Sequence, residues 1–266
     1  MKYLVCYSGG HSSALVAIEA VRKHGKENVI LLNHNISEEI EHKDIKRFKQ
    51  EVADYLGVAI TYANMENWEN ITPIDISLKI KGFQFAVGNA LCTYNLKTKP
   101  FYKYLEENCQ NKGEYTILYG FDEEEGHRIY RRRTSLRSMG YKTEFPLAEW
   151  KRTIHATEEI GIDRPITYKV YKHANCVGCL KAGRQHWYVV YCLRRDIFDK
   201  AMKAEKEIGY SVIKGIYLKE LIPVYEDIIS KGICPNDKEN SQIFWARVNN
   251  TIPEQINFMP CDCAID

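Results

Sequence analysis

Four short apolar segments, residues 3–7, 29–33, 58–62 and 115–119, alternate with stretches of helical spacing at 12–24, 38–56 and 97–108. Strands that alternate with helices predict a parallel sheet covered on both faces, a doubly wound α/β arrangement. Ligands of such sheets bind beyond the carboxyl ends of the strands. Two segments fall at that edge: residues 8–13 after the first strand, and residues 33–36, with Asn33 and Asn35, after the second.

The first of these reads Ser8, Gly9, Gly10, His11, Ser12, Ser13. Where a strand turns into a helix, backbone N–H groups lack partners inside the helix and the helix dipole adds partial positive charge. Glycines let an anion approach the backbone, and serine hydroxyls add donors. The arrangement suits a phosphate. The plainer alternative is a tight turn with a serine N-cap. The loop is neither Gly-x4-Gly-Lys-Ser/Thr nor Gly-x-Gly-x-x-Gly.

After about residue 140 the spacing becomes mostly helical, at 148–160, 184–194, 196–208 and 218–231, with breaks at Pro146, Asp163–Pro165 and Gly209. This predicts a nucleotide-binding α/β domain over residues 1–145 and a helical extension over 146–266. Net charge is +2, so no global field points to nucleic acid or membrane. No run approaches the ~18 apolar residues of a membrane span. The chain enters a strand directly, without signal-peptide character, so the expected compartment is the cytoplasm. Nine cysteines exceed what packing needs there, and disulfides are rare in that compartment. Some thiols are therefore expected to bind metal or do chemistry.

Four stretches carry candidate chemistry. Cys92 sits just before a predicted helix, where a thiol is a better ligand or nucleophile, or else is a small buried hydrophobe. Cys176 and Cys179 form a Cys-x2-Cys with Gly178 at the bend: a redox pair, half a zinc site or half an iron–sulfur site. Cys261 and Cys263 lie near the end of the sequence, either reaching a distant site or inert. Residues 120–133 place four acids before four arginines, either a solvated helix face or a clamp with Arg128 or Arg131 forking onto phosphate or sulfate oxygens.

The Ser8–Gly10 and Ser13 positions resemble the Ser-Gly-Gly-x-Asp-Ser loop of the PP-loop ATP pyrophosphatases, with Ser12 where Asp is usual. The order of motifs is similar to the phosphoadenosine phosphosulfate reductase family and to the DNA-phosphorothioation branch of its superfamily. The matching positions are Ser8–Ser13; Cys92, Thr93, Lys97 and Pro100; Gly120, Glu124 and Arg128; Pro146, Leu147 and Trp150; and Cys176 and Cys179.

The resemblance implies a fold of the adenine nucleotide α-hydrolase type. An adenine nucleotide (ATP, AMP or a sulfonucleotide) would have its phosphates at residues 8–13 and its adenosine near Asn33 and Asn35. It also implies a four-iron cluster or zinc on Cys92, Cys176, Cys179 and a fourth thiol such as Cys261, Cys263 or Cys192. Mg2+ on a triphosphate is a further implied cofactor. Family members attack sulfur with a C-terminal cysteine, for which Cys263 stands here without the usual Glu and His partners. Arg128 would serve the reacting anion and Arg131 the rest of the nucleotide.

The expected function is an adenine-nucleotide-dependent enzyme acting at an α-phosphate or a sulfonucleotide, in sulfur transfer or nucleic-acid modification. The alternative is a non-catalytic nucleotide sensor or interaction subunit, favoured by Ser12 and the incomplete cysteine set. A nucleic-acid substrate would require Arg131–Arg133, Lys151 and Arg152 to form one patch. Other expected partners are the nucleotide itself or a protein; no membrane is expected, and no oligomeric state follows.

Overall fold

The computed structural model describes residues 1–84, 90–173 and 176–252. In chain order the elements are β1 (Lys2–Cys6), α1 (His11–His24), β2 (Val29–Asn33), α2 (Lys43–Leu56), β3 (Ile60–Tyr62), α3 (Pro73–Ile80) and the single turn α4 (Leu91–Thr93). A π-helical turn (Tyr94–Thr98) leads into α5 (Lys99–Asn108), followed by β4 (Tyr115–Leu118), α6 (Gly126–Ser138), β5 (Lys142–Glu144) and the short α7 (Pro146–Glu149). The remaining helices are α8 (Arg184–Leu193), α9 (Arg195–Ile208), α10 (Leu218–Ser230) and α11 (Ser241–Thr251). No helix among the described residues is long and apolar enough to cross a membrane.

The chain separates into two compact units. The first comprises Met1–Asn35, His42–Glu69 and Leu96–Ile166; the second comprises Ile36–Glu41, Asn70–Asn95 and the described residues from Thr167 onward.

The first unit holds an all-parallel sheet of order β3-β2-β1-β4-β5. Side chains alternate between its faces, as the pleat requires. Val5, Leu31 and Leu118 pack on one side with Leu15 and Ile18 of α1 and Phe48 and Val52 of α2. Leu4, Leu32 and Ile117 pack on the other with Phe101 and Leu105 of α5 and Leu136 of α6. This is the doubly wound arrangement expected. The second unit is helical, with α9 packed against α3, α8 and α10.

Three local expectations are corrected. The helix expected from residue 38 begins at Lys43: Ser37 accepts from the Ile40 and Glu41 amides in a separate turn, and the His42 side chain caps α2 at Asp44 N. The helix expected over 148–160 is only α7 and a 3-10 turn at Thr157–Ile160. Glu19 on α1 accepts from the Thr153 and Ile154 amides, and Glu159 from those of His155 and Ala156. Those donors are thus taken by side chains instead of helix carbonyls. The sheet also has a fifth strand that the pattern of apolar residues did not reveal, since β5 reads Lys-Thr-Glu.

Candidate functional site

The sheet order reverses beside β1: β2 lies on one side and β4 on the other. Ligands of doubly wound sheets bind at such a point. Gly120, just past β4, lies so close to the start of α1 that a Cβ there would stand 3.0 Å from the Ser12 carbonyl carbon and 3.1 Å from Ser13 N. The loop after β4 is therefore pressed against the first turn of α1.

That turn has a left-handed entry. Gly9 is buried at φ +83°, and Gly10 is the N-cap with no side-chain cap bond. Ser13 Oγ donates to Gly10 O at 2.8 Å, and Ser8 Oγ lies 3.2 Å from Ser13 Oγ. Ser8 and Ser12 are exposed. Ser8 and Ser13 thus brace the loop from within, and Ser12 faces outward. The His11 ring instead turns to the segment before the Thr157 turn, where Nε2 accepts from Thr157 N at 3.3 Å; burial holds its pKa below the ordinary value, reinforced by Arg164 and opposed by Glu158.

Lys49 of α2 lies beneath this loop. It is 1% exposed. A Cβ on Gly9 would fall 2.6 Å from Lys49 Cδ, so the lysine stem packs against the bare glycine. Lys49 Nζ donates to Asn33 Oδ1 at 3.3 Å and Asn35 Oδ1 at 3.4 Å. Asn33 is itself buried and its amide donates to Tyr7 O at 2.5 Å, while Asn35 N donates to Asn64 Oδ1 at 2.8 Å. The two asparagines thus join the ends of β1 and β2 to a buried cation. Sequence reasoning missed Lys49, yet a signal was present. It falls on the stripe Ile45, Phe48, Val52 and Leu56 that α2 buries, where a lysine is out of place unless its charge is used.

His34, also missed, lies at the same edge. Its Nδ1 is 2.5 Å from Ala63 O, so Nδ1 carries the proton and Nε2 is the acceptor in the neutral ring. Burial lowers its pKa, against the Ala63 hydrogen bond and together with Lys97.

The arginine run lies on α6. Arg128 pairs with Glu125 and covers Phe121; Arg133 pairs with Glu149 and covers Phe145; Arg132 covers Tyr119. The three rings lie nearly parallel, at interplanar angles of 19–24°. Arg152 is held by Asp122 at 2.9 Å and by Leu147 O. Arg131 is exposed. Much of the basic run is thus engaged with its own acids and rings, and Arg131 is the better placed of the two candidate arginines to meet an added anion.

In the second unit the cysteine turn is built as tightly. Gly178 has φ +72°, and a Cβ there would fall 2.5 Å from Ile197 Cγ2. Val177 N donates to Ile40 O at 3.0 Å. Cys179 N donates to His186 Nε2 at 3.2 Å, and His186 Nδ1 meets Asp237 Oδ2 at 2.8 Å. Both ring nitrogens of His186 are thereby engaged. Tyr171 lies against that ring, and burial, with the Asp237 charge, pushes its hydroxyl up to about 12.

The other thiols differ. Burial pushes Cys6 up to about 12, against its Tyr119 hydrogen bond and Arg132, and pushes Cys109 up to about 11. Burial also raises Cys192. Cys92 is buried on α4. Cys261 and Cys263 lie outside the described residues. Among the described residues no three His, Cys, Asp or Glu side chains come together as a metal-binding group. The described thiols alone therefore do not make up the donor set of the implied cluster or zinc.

No family model matches the chain. Comparison with curated proteins finds a likeness to the "Uncharacterized nin region protein ORF290" of Escherichia phage lambda, 25% identical over 211 residues, which are 68% of this chain and 67% of that protein.

Proposed function

We propose that the first unit binds an adenine nucleotide with its phosphates over Ser8–Ser13, and that the protein is a phosphosulfate reductase-like PP-loop enzyme acting at an α-phosphate or a sulfonucleotide. The observation that carries this reading is the uncapped start of α1, entered through Gly9 and underlain by the Lys49 side chain, at the point where the sheet order reverses. Orphan N–H groups of the first helical turn would bind phosphate oxygens and stabilise charge developing on them. Outward-facing Ser12 would add a donor, and Arg131 a charge-assisted bond to the more distant oxygens. No step here depends on a metal.

A second reading, a non-catalytic nucleotide sensor, draws support from the loop itself. Residues 8–13 carry no carboxylate, so nothing in the loop would hold Mg2+ on a triphosphate.

Ser12→Glu tests the shared premise. Ser12 is exposed in the first turn of α1, where an acid favours the helix by about 0.3–1 kcal/mol. The variant should therefore fold at least as stably as the parent. Calorimetry should show ATP and AMP binding weakened about ten-fold or more, with adenosine nearly unaffected, because the new charge repels only the phosphates. Unchanged ATP affinity in the folded variant would return the loop to a plain turn. Release of pyrophosphate, sulfite or AMP from bound nucleotide separates enzyme from sensor.

A further inference from the structure

The nucleotide reading leaves the Cys-x2-Cys of the second unit without a task. Cys176 and Cys179 are both half-buried and are not joined in a disulfide in this structure. The chain reverses at Val177–Gly178 between them. The ends of such a four-residue turn lie under about 7 Å apart between Cα atoms, and disulfides span about 4.4–6.8 Å. Gly178 permits the reversal, since its left-handed φ and the Ile197 wall exclude a side chain. The frame is fixed from three directions: Ile40 O holds Val177 N, His186 holds Cys179 N, and Asp237 holds His186. The turn thus keeps the two cysteines within the Cα span that a disulfide needs.

The geometry points to Cys176 and Cys179 as a two-electron dithiol–disulfide centre, independent of whether the first unit binds nucleotide. We infer that it exchanges with a small-molecule disulfide such as glutathione disulfide. One cysteine, as thiolate, attacks a glutathione sulfur; a mixed disulfide forms and one glutathione thiolate leaves. The second cysteine, as thiolate, attacks the protein sulfur of that mixed disulfide, closing the turn and expelling the second glutathione thiolate. Two protein thiols are oxidised, one small disulfide is reduced, and the two protons lost by the protein are taken up by the two departing thiolates. His186 holds the turn rather than reacting, because each of its nitrogens is already hydrogen-bonded.

The test uses the full chain in chelator, equilibrated anaerobically at graded ratios of reduced to oxidised glutathione, then alkylated and mapped by peptide mass. The expected result is loss of two of the nine thiols in one transition, with the linkage mapped to Cys176–Cys179. Cys176→Ser should lose that linkage and accumulate a glutathione adduct on Cys179, and Cys179→Ser the reverse adduct. Three outcomes would overturn the proposal. One is a first disulfide at another pair, such as Cys261–Cys263. Another is oxidation of all exposed thiols together with no preferred pair. The third is stoichiometric zinc or iron in anaerobically purified protein that blocks alkylation of both cysteines. Because the wild-type map decides alone, a variant that fails to fold does not rescue the idea.

Discussion

The loop after β1 and the cysteine turn of the second unit both reverse the chain through a glycine of positive φ, and both press that glycine against a side chain. They differ in what stands there. Gly9 meets the aliphatic stem of a lysine whose ammonium serves two asparagine oxygens. A Cβ on Gly178 would meet the branched methyl of Ile197, with Trp187 at 3.5 Å. Around the first reversal the helix begins without a side-chain cap and Ser12 is exposed; around the second, a histidine and a main-chain carbonyl take up the amides. The first leaves the start of α1 without a side-chain cap. The second is already satisfied and holds two thiols in place.

The largest expected effect breaks the two glycines. Gly178→Ala forces a residue into the left-handed region, at about 1–2 kcal/mol. It also overpacks against a short, branched side chain held in α9, which adds roughly 1–3 kcal/mol. Gly9→Ala meets the same backbone cost and presses on Lys49 Cδ at 2.6 Å and Ile45 Cγ2 at 3.2 Å, but the unbranched lysine stem has more rotatable bonds with which to give way than the branched Ile197. Hydrogen exchange read by mass spectrometry resolves local opening in each unit. Protection of α8 and α9 should fall further in Gly178→Ala than protection of α1 and β1 falls in Gly9→Ala. Equal losses would mean that Ile197 yields as easily as Lys49, and the two turns would be equivalent.

The next effect sharpens the polar side of the comparison. Lys49→Met keeps most of the stem that packs on Gly9 and removes the charge. If phosphates lie over Ser8–Ser13, losing the charge beneath the loop should weaken ATP and AMP binding about several-fold through space, while adenosine binding changes little. Calorimetry on the folded variant decides it. Equal weakening of adenosine and ATP would assign Lys49 to fixing Asn33 and Asn35 rather than to charge at the loop.

What the sequence disclosed follows from how local each cause is. The apolar runs of β1, β2 and β4 and the stripe of α2 are properties of neighbouring residues, so the doubly wound sheet was legible. β5 was not, because an edge strand of Lys-Thr-Glu buries only Thr143. α3 begins with a reciprocal Thr72–Asp75 cap and Pro73, a local signal that went unread. The glycine loop and the Cys-x2-Cys were legible as spacings. Their partners were not: Lys49 is 42 residues from Tyr7, whose hydroxyl donates to its carbonyl, and Asp237 is 51 residues from His186. The helix expected over 148–160 failed for the same reason, since Glu19, far back in the chain, takes the amides that would have built it.

The smallest effect is on pH, and it bears on the loop edge of the first unit. Burial is the largest cause of the lowered pKa at both His34 and His11. The unfolded chain titrates near the ordinary value, about 6.5, so below that pH the unfolded state binds more protons than the folded one. Their contribution to stability is therefore present in full above about 6.5 and is lost as pH falls through the lower folded values. The carboxylates of Asp44 and Glu158 in the same unit also have lowered pKa values, and their contributions are lost only in more acidic solution. A fall in α1 and β1 protection that starts just below pH 6.5 thus belongs to the histidines. His34→Gln replaces the ring with a group that does not titrate, and should flatten that first part of the curve even if its stability at pH 8 is lower. His11→Gln should do so less, since its ring is less buried and Glu158 opposes the shift. An unchanged slope in both variants would place the acid sensitivity elsewhere and leave the edge of the sheet indifferent to protonation.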